Sequence, residues 1–316
     1  MIIGTGQRTA GQQVVFSQRF ASPLQLNPAF AGSKPFTRME FGYRTHSFPH
    51  LNAFQSMHFS MDGYNEGVMG GLGILFIRDM QANILNTNQL TGAYSLHLQL
   101  TSDLFMNLGI GAGLINKGIQ WNNLVFSDQI NKLTGEILQI NEQNLDGGIW
   151  VPNFSAGMLL FNSRIFGGFA MHHLNRPNFS LMGNQLRTPF HYIAKIGGYF
   201  SLENIFRTGI TQESFFVSPN IILNIHGVNK MLSYGMHFGL SQVFAGIWMR
   251  QNFTLPETLI LMLGLETGNF RFSYSFDHSL SGFSGVHHAA HEIAVRFSFI
   301  TNNKKARINI INSPDF

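Results

Sequence analysis

Cysteine is absent from the 316-residue chain. This excludes a disulfide framework and thiolate metal sites and is compatible with an oxidising compartment. Charge is scarce: Asp, Glu, Lys and Arg make up 11% of the residues, less than half of the roughly 25% usual in soluble domains. The net charge of +4 is modest and no Lys/Arg cluster is dense, so no nucleic-acid partner is expected. A mean hydropathy of +0.05 is too low for a bundle of membrane helices. Residues 231–249 carry no formal charge and have the length of a transmembrane helix. However, Leu232, Tyr234, Met236, Phe238 and Leu240 alternate there with Ser233, Gly235, His237, Gly239 and Ser241. Period two wins over period 3.6, and a hairpin turning at Ser241-Gln242 is expected. The opening residues 1–6 lack the basic and apolar regions of a signal peptide. An exported protein with this start is read as a mature form, or as one whose start is misplaced.

Phenylalanine (31 residues), glycine (33 residues) and alternation are abundant. In residues 88–101, Leu90, Gly92, Tyr94, Leu96, Leu98 and Leu100 fall on one face of a strand. Thr91, Ala93, Ser95, His97, Gln99 and Thr101 fall on the other. The pattern recurs from about residue 39 to residue 299, in segments long enough to cross a bilayer as tilted strands. Approximate spans are 39–46, 53–62, 68–79, 88–101, 103–117, 150–161, 163–174, 188–201, 213–225, 230–240, 243–253, 257–267, 269–277 and 290–299. The expected fold is therefore all-β, an outer-membrane barrel of about 14 antiparallel strands over 37–299, facing lipid on its outside. Residues 1–36 form an N-terminal extension and 300–316 a polar C-terminal tail. Even-numbered connections are mostly tight, whereas 118–149, 175–187 and 278–289 are long, with 202–212 an exception. Barrels of this kind keep short turns in the periplasm and longer loops outside, which would place both termini in the periplasm.

Charges inside strands cost roughly 2–4 kcal/mol on the lipid face at the midplane. Arg44, Asp62, Lys195, Arg250, Glu266, Arg271, Asp277 and Arg296 should therefore point inward and pair. A packed luminal network is one reading of them and a solute pathway the other. The pairs His172-His173 and His287-His288, with His291, raise metal binding against solvated or hydrogen-bonded histidines. Neighbours on a regular strand point to opposite faces, which argues against chelation by a pair. No Ser/His/Asp arrangement with an elbow-like setting is present, and Gly109–Gly113 lacks the strand-to-helix context of a phosphate loop. Those glycines are expected to relieve crowding where the wall bends. Neither catalysis nor a cofactor is expected. Residues 1–36 contain Pro23, Pro28 and Pro35 and cannot continue a ladder, yet Phe16, Leu24, Leu26 and Phe30 make them too apolar to hang in water. They read as a plug at the periplasmic mouth or in the lumen, with Gln18 and Asn27 satisfying groups of the wall.

Phe16-Ser17-Gln18 and the run Pro23–Gly32, with Asn27, Pro28 and Ala29 at its centre, resemble the opening signature of the PorP/SprF family. Further matches follow in the family's order: Tyr43-Arg44, Gly70–Gly73, Leu124–Asp128, His173–Pro177, Trp248–Arg250, Phe272–Asp277 and His291–Ile293. The chain departs at Met249 and Phe276, where the family usually has Tyr, and in the tail after Phe299. The resemblance covers residues 16–299 and implies a Bacteroidota outer-membrane protein associated with type IX secretion and gliding. It implies anchoring of a secreted adhesin at the cell surface, through the adhesin's C-terminal domain. The alternative is a structural part of the secretion machine that contacts periplasmic ring components or lipoproteins; a passive solute channel is a third reading. Leu124, Val125 and Phe126, an apolar run beside Asp128 in the long 118–149 connection, are candidate partner anchors, or they pack over the barrel mouth.

Overall fold

A computed structural model of the chain describes residues 16–18, 21–48, 51–120, 148–179, 187–202, 215–253, 256–280 and 289–299. Leu124, Val125, Phe126, Asp128, His287 and His288 lie outside the described residues, as does the 300–316 tail.

Among the described residues fifteen strands follow one another. They are β1 (Thr37–Phe48), β2 (Leu51–Asn65), β3 (Gly70–Gln81), β4 (Leu85–Gln99), β5 (Phe105–Ile119), β6 (Ile149–Phe161), β7 (Ile165–His172) and β8 (His191–Gly198). After them come β9 (Phe200–Leu202), β10 (Phe215–His226), β11 (Asn229–Leu240), β12 (Val243–Asn252), β13 (Pro256–Thr267), β14 (Phe270–Ser279) and β15 (Ala289–Phe299). β8 and β9 both pair with β10 and are two halves of one crossing, so the wall has fourteen crossings. The interruption at Tyr199 lies between the pairs Gly197↔Asn220 and Phe200↔Val217, a gap whose β10 side contains Pro219, which has no amide hydrogen to give to a ladder. β15 returns to β1 in antiparallel register from Thr37↔Phe299 to Ser47↔Ala289, which closes the sheet into a barrel. The alternating run at 88–101 lies mostly in β4, and the uncharged 231–249 stretch turns at Ser241-Gln242 between β11 and β12.

Closure sorts the alternation by side. Leu72, Ile74 and Phe76 of β3 and Leu108, Ile110 and Leu114 of β5 are exposed on the outer surface. The residues between them face inward and are polar, small or buried apolar groups such as Leu75, Ile77 and Asn107. This is the distribution lipid outside and a filled lumen require.

Residues 16–18 and 21–36 lie in the enclosed space. Pro23–Leu26 forms one helical turn and Pro28–Phe30 a 3₁₀ turn, each opening on proline, whose missing N–H costs nothing there. Asn27 joins them, its side chain accepting from the Ala29 amide. Four buried apolar clusters line the lumen, and each contains residues of this segment. Ala29 and Phe30 meet Phe105 and Leu159; Phe16, Leu24 and Ala31 meet Leu75 and Ile77. Ala21 meets Phe244 and Met262, and Leu26 meets Ile222, Trp248 and Ile260.

The segment presses directly on the wall at two glycines. A Cβ on Gly71 would stand 1.9 Å from the Ala31 carbonyl oxygen, and one on Gly109 would stand 2.2 Å from the Ala29 nitrogen. Gly109 therefore makes room for a second backbone rather than for a bend, a different role from the one expected of the 109–113 run.

Candidate functional site

The inward face of β1 reads Arg38, Glu40, Gly42, Arg44 at every second residue, and its charges organise the lumen. Arg44 Nη2 lies 2.7 Å from Asp277 Oδ2 on β14, and its Nη1 lies 3.0 Å from Glu292 Oε2 on β15. The N-terminal segment completes the group. The Ser17 amide donates to Glu292 Oε2 at 2.7 Å and the Gln18 amide to Glu292 Oε1 at 2.9 Å. Ser17 Oγ donates to Asp277 Oδ2 at 2.6 Å and accepts from Arg44 Nη1 and from Arg250 Nη2. That exhausts one hydroxyl donor and two lone pairs. Gln18 Nε2 donates to the Glu292 carbonyl at 2.8 Å, and Phe16 packs edge-on against His58, whose Nε2 contacts the Ala21 carbonyl oxygen.

Two further groups lie on the same interior. Arg38 forks onto Asp62 (2.8 and 3.1 Å), and Asp62 also accepts from the Gly32 amide at 2.8 Å. Gly32 has a φ of +59°, a conformation that favours glycine at the turn out of the segment. Arg296 Nε donates to Glu40 Oε1 at 2.8 Å. Arg271 pairs with the half-exposed Glu266 at the barrel end that carries the short turns. Lys195 sits over the rings of Phe30 and Phe166. On the opposite wall Asn27 Nδ2 donates to the carbonyls of Met158 and Phe169, and Ser95 and Asn107 donate to the Ala29 carbonyl. The polar face of the 88–101 stripe thus receives the 3₁₀ turn that Pro28 begins.

Of the residues singled out in the sequence, Phe16, Ser17, Gln18, Arg44, Arg250 and Asp277 meet in one cluster. Asp62 with Gly32, Asn27 with Ala29, Arg296 and Arg271 occupy separate places. Sequence reasoning passed over Arg38, Glu40 and His58 and gave Glu292 no role. The two-residue spacing from Arg44 back to Arg38 was the available signal.

Towards the end with the long connections, a cavity of about 440 Å³ lies above this floor. Phe16, Leu26, Arg44 and Arg250 bound it below, with His46, Asp79, His191, His226, Lys230 and Glu257 among its walls. Among the described residues, Arg250 Nε, His191 Nδ1 and His226 Nε2 have no hydrogen-bond partner. Among the described residues no group of three or more His, Cys, Asp or Glu is placed to hold an ion. Instead His172 Nε2 contacts the Leu26 carbonyl oxygen and His173 Nδ1 contacts Asn153 Oδ1. Both members of this sequence pair are buried, because His173 lies just past β7 with a φ of +61°, where strand alternation no longer applies.

These features define a class: a closed β-barrel of the outer membrane whose interior is cross-braced by its own N-terminal segment. The model of the type IX secretion system membrane protein PorP/SprF matches residues 8–297, and the chain belongs to that family. It is accordingly an outer-membrane component associated with type IX secretion. The chain has no match among curated proteins. Among solved structures it is similar to the CymD monoaromatic hydrocarbon channel, at 14% identity over 89% of this chain and 93% of that one, with a TM-score of 0.46. It is also similar to the Pseudomonas putida toluene transporter TodX, at 10% identity over 86% and 92%, with a TM-score of 0.48. A third is the KdgM porin, at 9% identity over 82% and 99%, with a TM-score of 0.35.

Proposed function

We propose that this barrel is a solute-tight platform that holds a secreted adhesin at the cell surface, the adhesin's C-terminal domain docking on the face made by the long connections. The observation that carries this reading is the bracing of the lumen by residues 16–36. A segment bonded to Glu292 and Asp277 on one wall and to Met158 and Phe169 on the other occupies the lumen that an open pore keeps clear. A platform that bears load on one face gains stiffness from it. The cavity at the long-connection end, lined by Arg250, His191, His226 and Lys230, supplies polar side chains for a docked segment. In this reading both termini lie in the periplasm, and Leu124, Val125 and Phe126 form the apolar anchor of the external face, with Asp128 beside them.

Replacing residues 121–147 by a short linker tests it in cells. The adhesin should then appear in the medium while the barrel still assembles. Normal surface retention after that replacement overturns the docking role, and loss of periplasmic lipoproteins with retained adhesin would assign the protein to the machine instead.

A further inference from the structure

The outer wall is not uniform. β7 and β8 have eight residues each, whereas β2, β4 and β5 have fifteen. On their shared outward face Ile165 stands opposite Gly198, and Ile196 opposite Gly167. Gly167 leaves open space beside the two isoleucines, a Cβ there meeting nothing nearer than 3.9 Å, whereas the Phe200 ring covers Gly198; the result is a trough on the outer surface. Its volume is about 450 Å³, and Phe200, Pro219 and Ile221 close it at the point where β8 gives way to β9. Ile165, Ile196, Phe200 and Ile221 are all exposed, in line with the lipid-facing rows of the other strands. An apolar concavity of this kind does not hold ordered water, which needs two or more polar partners. The trough opens on the lipid-facing side of the wall, and its apolar lining suits a hydrocarbon chain.

The trough ends at the turn between β6 and β7. There Asn162 Oδ1 accepts from the amides of Arg164 and Ile165, both at 2.8 Å, and so fixes the turn. Arg164 is exposed at that point, at the polar margin of the apolar belt. A guanidinium presents a fork suited to phosphate oxygens, and its position beside hydrocarbon matches the layout of a lipid headgroup above its chain.

We propose that this trough is a binding site for one glycerophospholipid of the leaflet on the short-turn side, with an acyl chain between Ile165 and Ile196 and the phosphate on Arg164. The site rests on the wall geometry alone and is independent of any docked adhesin.

Native mass spectrometry of the full-length barrel, released from its own membranes in a mild non-ionic detergent, tests the assignment. One phospholipid per barrel should survive activation that strips annular lipid. Arg164→Glu, and separately Ile196→Trp, which fills the trough from its lipid side, should each reduce the retained fraction about tenfold. Ile110→Trp, on the outer face of β5, should leave it unchanged. Either trough variant alone suffices as long as heat-modifiable migration shows that it has folded. Adducts that are lost equally from all variants, or that are unaffected by both trough substitutions, overturn the proposal. So does an adduct with the mass of a fatty acid alone, which needs no phosphate at Arg164.

Discussion

Glu292 accepts from the Ser17 amide, the Gln18 amide and Arg44 Nη1, and each donor is buried with it. Replacing two buried ion-pair partners together by apolar groups can be nearly neutral, but removing one leaves the other charge uncompensated, at about 3–5 kcal/mol. Glu292→Ala should fall in that range, because Asp277 then faces both Arg44 and Arg250 alone and two backbone amides lose their acceptor. The expected result is a lower midpoint for unfolding in urea, with faster hydrogen exchange at the amides of Ser17 and Gln18 than in the wall strands. An unchanged exchange rate at those two amides would show that Glu292 does not hold the segment. The inward direction of Arg44 was legible in the sequence, because a strand charge must avoid lipid. Its partner was not. Arg44 and Glu292 lie 248 positions apart and become neighbours only through the β1–β15 register.

Period two identifies a strand whatever its neighbours do, so each crossing was legible from its own residues. Residues 188–201 show where that reasoning stops. They read as one continuous strand, but the ladder is interrupted at Tyr199, in a gap whose other side, on β10, contains Pro219. The N-terminal segment gives the opposite lesson: its prolines and apolar residues excluded it from the wall, but the surface that receives it is written in the wall strands, at Gly71, Gly109, Ser95 and Asn107. Its role as a brace can be measured. Removing residues 16–36 deletes members of all four luminal clusters and should raise single-channel conductance in planar bilayers well above that of the intact barrel. Gly71→Val makes the same test with a single side chain. The added Cβ would stand 1.9 Å from the Ala31 carbonyl oxygen, which cannot give way without moving the turn, and overpacking of this kind costs about 1–3 kcal/mol. Intermittent opening is the expected behaviour of that variant. Equal conductance in the intact and truncated proteins would show that the segment does not block the lumen.

For the whole molecule, the closed ring gives two unlike ends. The turns at 66–69, 100–104, 162–164, 241–242 and 268–269 gather at one end. The connections 120–148 and 173–190 leave from the other, together with the tight 227–228 turn between β10 and β11. Alternation cannot orient this object, since both ends obey the same period; only the unequal lengths of the connections distinguish them. The absence of cysteine makes the orientation directly measurable, because any introduced thiol is the sole target of a maleimide. Val228, 81% exposed at the tip of the β10–β11 turn, marks the long-connection end, and Asp103 in the β4–β5 turn marks the other. In intact cells a membrane-impermeant maleimide should label Val228→Cys and leave Asp103→Cys unmodified until the outer membrane is permeabilised. The reverse pattern would turn the cavity and the long connections towards the periplasm. The same residues would then face periplasmic partners, and the load that the bracing resists would come from the secretion machine rather than from a surface adhesin.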